Sequence, residues 1–287
     1  MTTESPKFDP VKYKATTREQ WQTAAKAWHR WGPLLNAWLG PATEIMFDLA
    51  RIGPGSRVLD VAAGAGEQAI QAAKRVGQTG HVLATDLSPN ILEFCAADAR
   101  KHGLANVETR AMDGENLELP DDSFDVVMSR VGLIYFPDQQ KALTGMKRVL
   151  KPGGRVAAIV YSTGENNKFF SVPVSIIRRR ANLGPPLPGQ PGPFSLGAPG
   201  LLEEQFRRAG FHDVKSQTVS APVKLATSDE CLQFEKESFG ALHQMLGGLD
   251  AAGQQAAWSE IGAELRKFQG PSGFEGPCEM VIAVGTK

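Results

Sequence analysis

The side chains in this sequence with the plainest chemistry are acids set beside glycines. In "VLDVAAGAGEQ", Asp60 sits inside an apolar β-like run, and Ala62, Gly64 and Gly66 follow before a helical pattern begins near Glu67. A strand that gives way to glycines lets backbone approach a ligand where a side chain would collide. The helix behind it aims its partial positive charge at the same place. Gly64, Gly66 and Ala69 satisfy the looser GxGxxA form of a dinucleotide fingerprint. Asp60 argues against a pyrophosphate there, because its carboxylate would repel one, whereas a cationic or polar ligand would tolerate it. Asp86 ends "HVLATD" about twenty positions past Gly66, where an acid is expected to anchor ribose hydroxyls. Asp113 and Gly114 in "AMDGENLELP" follow a third β-like run, a position from which an adenine edge can be read. Taken singly, each of these also fits a ligand-free turn or a solvated loop carboxylate.

No single side chain declares itself as a catalytic base. His29 lies among tryptophans, His243 in a late helical stretch and Tyr135 after the fourth β-like run, and each could take a proton from a hydroxyl or an acidic carbon. Each also fits a surface or packing role. Trp28, Trp31, Leu133 and Tyr135 are candidate contacts for an apolar or aromatic ligand, since four of the five tryptophans (Trp21, Trp28, Trp31, Trp38) precede residue 40 and the run after the fourth strand is apolar. Arg178 to Arg180 read as a solvated helix face that could also meet an anionic head group.

These residues need a scaffold, and the chain supplies a regular one. From Arg57 to about Tyr161, β-rich runs alternate with helical patterns, which predicts βαβ units and an α/β fold: a doubly wound, mainly parallel, Rossmann-like sheet of seven strands. Late strand-like runs, "DVKSQTVSAPVKL" and "CEMVIAVGTK", predict an antiparallel edge pair. The expected division is a helical N-terminal lid (1–45) and a cofactor-binding core (46–162). A Pro/Gly-rich insertion (163–200) and a C-terminal part (201–287) follow, the latter completing the sheet and carrying a helical lid over 226–270. Gly32-Pro33 and Gly40-Pro41 are expected to break the N-terminal region into two or three short helices.

Composition narrows the function classes. Thirty-one basic and thirty-one acidic residues leave no net field to collect nucleic acid. Three distant cysteines (Cys95, Cys231, Cys278) suggest no disulfide framework and no metal site, which fits a reducing cytoplasm. No secretion signal or membrane-spanning run is visible.

Four stretches in order, "VLDVAAGAGEQ", "VLATDLSPNILEFCAADA", "MDGENLELPDDSFDVVMSRVGLIYFPD" and "MKRVLKPGGRVA", resemble class I S-adenosylmethionine-dependent methyltransferases, over roughly residues 45 to 161. The resemblance is strongest to the branch that includes the ubiquinone and menaquinone C-methyltransferases. It implies that the loop Ala62 to Gly66 wraps the methionine part of S-adenosylmethionine, with Asp60 and Gln68 also in the cofactor site. It further implies that Asp86 binds both ribose hydroxyls, that Met112 and Asp113 flank the adenine, that Ser129 and Arg130 face the methionine and methyl group, and that Leu87 and Gly114 also belong to the cofactor site. The product would be S-adenosylhomocysteine. The loop "AAGAGE" departs mildly from the "CGTG" or "AGTG" usual in that branch. The sequence lacks an Asn/Asp-Pro-Pro-aromatic motif after strand four, which with the neutral charge tells against nucleic acid. The expected partner is a small, largely apolar or aromatic acceptor, methylated at carbon or oxygen. An NAD-dependent oxidoreductase and a non-catalytic cofactor-binding protein on the same fold remain the alternatives, and the oligomeric state stays open, a homodimer being one option.

Overall fold

The computed structural model describes residues 8–187 and 189–287, so residues 1–7 of the expected N-terminal lid and residue 188 of the expected insertion lie outside the described residues. Helices α1 (Pro10–Arg30) and α2 (Gly32–Ala50) come first. The alternating part follows as β1 (Arg57–Val61), α3 (Glu67–Val76), β2 (His81–Asp86), α4 (Pro89–Lys101), β3 (Val107–Ala111), β4 (Phe124–Arg130), α5 (Gln139–Val149) and β5 (Leu150–Tyr161). Beyond it lie α6 (Lys168–Arg180), α7 (Leu201–Arg208), β6 (His212–Ser220), β7 (Val223–Leu225), α8 (Ser228–Ser238), α9 (Gly240–Leu246), α10 (Ala251–Leu265), β8 (Gln269–Gly270), β9 (Gly273–Gly276) and β10 (Glu279–Thr286).

The main sheet has seven strands in the order β3-β2-β1-β4-β5-β10-β6. The first five are parallel, and β10 runs antiparallel to both β5 and β6. Strand order reverses between β1 and β4, which opens a crevice at their carboxyl ends, the usual ligand position in doubly wound sheets. β1 and β4 are buried on both faces and so read as near-continuous apolar runs, with Asp60 the exception in β1. A second, small sheet, β7-β9-β8, has strands of two to four residues and left no signal long enough to read in the sequence.

The helices depart from several of the expectations above. Gly32-Pro33 does divide the N-terminal region, because Pro33 stands in the first turn of α2, where a missing N–H is no loss. Gly40-Pro41 does not: Pro41 lies inside α2. The lost backbone bond is outweighed by burial on both sides of it, from Trp38, Leu39, Ala42, Met46 and Phe47. Burial also separates the two helices. α2 belongs to the main core, whereas only Ala24 and Ala25 of α1 are buried, so a covering segment at the N-terminus ends near Trp31 rather than at residue 45. The expected Pro/Gly-rich insertion likewise begins later. α6 occupies its first half, with Pro173 inside the helix and Phe169, Phe170, Ile176 and Ile177 buried. Arg179 and Arg180 on its last turn pair with Glu260 of α10, so these two arginines are engaged within the fold rather than offered to an anionic head group.

α8 carries a buried acid. Glu235 is fully buried, its Oε2 has no hydrogen-bond partner among the described residues, and its Oε1 accepts only from Cys231 Sγ at 3.9 Å. Burial pushes this carboxyl well above the ordinary carboxylate range. The native state therefore holds a proton that the unfolded chain releases above about pH 4.3. Stability on this account falls as pH rises from there, at up to one proton per molecule. Asp60, pushed up to about 7, acts in the same direction, but its contribution stops falling near that pH. Glu235→Met should raise stability at pH 8 by about 1 kcal/mol. Thermal melts at pH 6 and pH 8 check this, the expected result being a smaller loss between the two pH values in the variant than in the wild type.

Candidate functional site

At the carboxyl ends of β1 to β5, beneath α1, lies a cavity enclosing about 1030 Å³ of space with its mouth included. Its wall at β1 is the loop that follows the strand. Ala62, Gly64 and Gly66 all have positive φ (61°, 60° and 94°), so the loop coils tightly before α3 begins at Glu67. The Gly64 N–H donates to Asp86 Oδ2 at 3.0 Å, and the Ser88 N–H donates to Asp86 Oδ1 at 2.9 Å. Burial lifts the Asp86 carboxyl, and those amide donors oppose the lift. Asp86 thus fixes the β1 loop against the end of β2 while lining the cavity.

The two glycines have different tasks. A Cβ on Gly64 would meet only ordinary contacts, the nearest being Trp28 Nε1 at 3.6 Å. Its surroundings are open, and its backbone angle is what resists a side chain. A Cβ on Gly66 would lie 2.3 Å from Cys95 Sγ, so Gly66 lets α3 pack on α4 and does not face the cavity. At the end of β3, a Cβ on Gly114 would lie 2.6 Å from the Phe136 ring, a close approach between the β3 loop and the turn after β4.

Beneath the loop sits a polar cluster. Gln68 Nε2 donates to Asp60 Oδ1 at 3.3 Å and to the Ala63 carbonyl at 3.1 Å. Asp60 Oδ2, Gln68 Oε1 and Ser129 Oγ are buried without partners among the described residues. Burial first, and the neighbouring Asp86 and Glu67 carboxylates next, push Asp60 up, against Gln68 and Arg130. At the end of β4, Arg130 Nη1 donates to Thr43 Oγ1 at 3.3 Å and Nη2 to Glu67 Oε2 at 3.4 Å. Val131 follows at φ 59°, a left-handed conformation that is strained for a β-branched residue and that clusters at functional sites. Its N–H is held by the Ile159 carbonyl at 2.8 Å.

α1 covers the mouth. Lys14 Nζ donates to Asp113 Oδ2 at 2.7 Å and to Glu115 Oε2 at 2.6 Å. Burial pulls the Lys14 ammonium down, but the two carboxylates hold it above its usual range. Further along the same helix face, Trp21 lies edge-on to both Trp28 and Tyr135, and Trp28 packs edge-on against Phe239.

The structure brings together Ala62, Gly64, Gln68, Asp86, Leu87, Met112, Asp113, Gly114, Arg130, Trp28 and Tyr135 around this cavity. Asp60, Gly66 and Ser129 lie behind its wall. Four candidates go elsewhere. His29 stacks on Phe94 of α4 at 4.4 Å, with Nδ1 3.7 Å from Asp98. His243 lies within hydrogen-bonding distance of the Lys236 carbonyl and packs against Trp258, in a groove between α1 and α9. Trp31 donates its indole N–H to Glu237 and packs on Phe234. Leu133 is fully buried in the core. In each case the helix face, set by tertiary packing, turns the side chain away from the cavity.

Sequence reasoning missed Lys14, Trp21, Glu67, Tyr161 and Phe239 as cavity residues. A signal existed for α1, because residues 14, 21 and 28 recur at sevens and share one helix face. Glu67 could have been marked as the first helical residue behind the glycines. Among the described residues, no group of three or more His, Cys, Asp or Glu side chains could hold a metal ion.

A doubly wound sheet with a glycine turn after its first strand and an acid ending its second is an arrangement in which α/β proteins bind nucleotides at the carboxyl ends of the strands. Residues 52–176 match the family model described as a methyltransferase domain, and over that stretch the chain is similar to S-adenosylmethionine-dependent methyltransferases. The ubiquinone/menaquinone biosynthesis C-methyltransferase UbiE of Teredinibacter turnerae is 36% identical over 125 residues, 43% of this chain and 50% of that protein. Nocamycin O-methyltransferase of Saccharothrix syringae is 30% identical over 184 residues, 61% of this chain and 66% of that protein. The solved structure of the YcgJ protein of Bacillus subtilis shares the fold, with a TM-score of 0.58 at 19% identity, covering 86% of this chain and 98% of that one. The chain spans about half to two thirds of the length of the curated relatives it matches.

Proposed function

We propose that this protein transfers a methyl group from S-adenosylmethionine to a small, largely apolar or aromatic acceptor, at carbon or oxygen. The observation that carries the reading is that one cavity joins two kinds of wall. Asp86, Leu87, Met112 and Asp113 at the ends of β2 and β3 suit a nucleoside, and Trp21, Trp28, Tyr135 and Phe239 suit an apolar acceptor. The residues fit the cofactor's chemistry. Asp86 offers carboxylate oxygens to ribose hydroxyls, Leu87 and Met112 offer apolar faces to adenine, and the coiled loop at Gly64 leaves room for the methionine end. Bound S-adenosylmethionine would supply a methyl group already activated by a positive sulfonium, which is why buried carboxylates beside the loop are tolerable.

The chain's own residues would then position the acceptor and exclude water. In this reading α1 is a lid, latched by Lys14 to Asp113 and Glu115, and the α8–α9 segment closes the other side through Phe239. Relatives named for C- and for O-methylation keep both acceptor atoms within the proposal. No helix among the described residues is long and apolar enough to cross a membrane, and Cys95, Cys231 and Cys278 are buried free thiols, which fits a reducing cytoplasm.

Titration calorimetry tests the reading against an oxidoreductase. S-adenosylhomocysteine should bind and NAD should not, and the reverse pattern would remove the methyltransferase reading.

A further inference from the structure

The residues that suit the nucleoside occupy the carboxyl ends of β1, β2 and β3, but the same cavity runs on to the ends of β4 and β5. Those strands finish at Arg130 and Tyr161. In their parallel register Arg130 pairs with Ile159, so Arg130 and Tyr161 stand on the same face of the sheet, one side-chain step apart. Both line the cavity, as does Glu67. The Arg130 side chain is 3% exposed, yet among the described residues two of its five N–H groups are engaged by protein, both at the long end of hydrogen-bond distances. The hydroxyls of Tyr161 and Tyr135 have no hydrogen-bond partner among the described residues. A dry, aromatic chamber that contains a slackly held guanidinium and unengaged hydroxyls leaves polar capacity for a ligand to use.

We propose that Glu67, Arg130 and Tyr161 form the acceptor's polar subsite, which takes an acceptor bearing a phenol- or enol-type hydroxyl and holds it as the oxyanion. This rests on the methyltransferase reading. The acceptor's O–H bond breaks with its electron pair staying on oxygen, and the proton goes to a carboxylate oxygen of Glu67. Arg130 then turns from the neutralised Glu67 to the new oxyanion, and Tyr161 donates its hydroxyl to it. The negative charge moves from carboxylate to acceptor oxygen, so the buried site gains no net charge, which keeps the step inexpensive in a low dielectric. Burial pushes the Glu67 carboxyl up, against the pull of Arg130, and so makes it a better proton acceptor than an ordinary carboxylate. The other charged or titratable groups facing this pair are His29 and Asp98 from α1 and α4 on the Glu67 side, with Asp60 and Tyr161 on the Arg130 side. The site therefore contains its own proton acceptor without either histidine.

The test uses 4-nitrophenol, whose phenolate is coloured, with full-length protein saturated in S-adenosylhomocysteine. Bound probe should show a phenolate-to-phenol ratio at least about tenfold above that of free probe at the same pH, a fall of one pKa unit. Glu67→Gln should abolish that enrichment and Tyr161→Phe should reduce it several-fold, while S-adenosylhomocysteine affinity changes less than about twofold in both. Tyr161→Phe removes one oxygen atom and keeps the ring, so it remains informative if Glu67→Gln does not fold. No phenolate enrichment on the liganded wild type overturns the inference, as does enrichment that survives Glu67→Gln. A tenfold loss of S-adenosylhomocysteine affinity in Arg130→Lys would assign the guanidinium to the cofactor and overturn it too. If S-adenosylhomocysteine does not bind the wild type at all, the methyltransferase reading itself has failed.

Discussion

Asp86→Ala should weaken S-adenosylhomocysteine binding by about 1–3 kcal/mol, roughly 5- to 150-fold in Kd. Two effects add in the same direction. The ribose hydroxyls lose a charged acceptor in a partly dry site, where charge-assisted hydrogen bonds are strong. The loop also loses its tether, because the Gly64 and Ser88 amides both donate to this carboxylate. Asp86→Asn separates the two, since an amide oxygen can still accept from one backbone donor while the charge is gone. Calorimetric titration of both variants, with melting curves to confirm folding, gives the expected order of affinity as wild type, then Asn, then Ala. Unchanged affinity in Asp86→Ala would remove this residue from the site.

What the sequence disclosed follows from how local each feature is. The loop Ala62–Gly64 and the acid Asp86 were legible because strand, turn and helix follow one another within a few residues. Backbone chemistry there dictates both the residue types and the shape. The Gly66 position was legible as a glycine but not for its reason, since the demand comes from Cys95, 29 residues later on α4. The histidines could not be placed from the sequence because a lone imidazole carries no periodic signal, and only packing puts His29 on Phe94 and His243 on Trp258. Pro41 misled because one missing backbone bond is a local loss, whereas the burial of α2 against the sheet is a tertiary gain. The Glu67–Arg130 pair joins a helix start to a strand end 63 residues away, and nothing in either segment marks the other.

Deleting residues 1–31 should leave a folded core and remove more than about nine tenths of the turnover once an acceptor is known. The core should survive because α1 buries only Ala24 and Ala25 fully, whereas α2, which stays, contributes Leu35, Trp38, Leu39, Met46 and Phe47. Turnover should fall because the deletion uncovers the cavity mouth and takes away Lys14, Trp21 and Trp28 together. Point variants divide the effect. Trp28 Nε1 lies over the Gly64 turn, so Trp28→Ala should raise the KM of both cofactor and acceptor. Trp21 lies against Tyr135 instead, so Trp21→Ala should raise the acceptor KM and leave the cofactor's nearly unchanged. Limited trypsin digestion reads the lid directly, since α1 offers Lys12, Lys14, Arg18, Lys26 and Arg30 as cleavage sites. Those sites should be cut more slowly when S-adenosylhomocysteine is bound. Equal cleavage with and without ligand, together with full activity after truncation, would return Trp21 and Trp28 to ordinary packing.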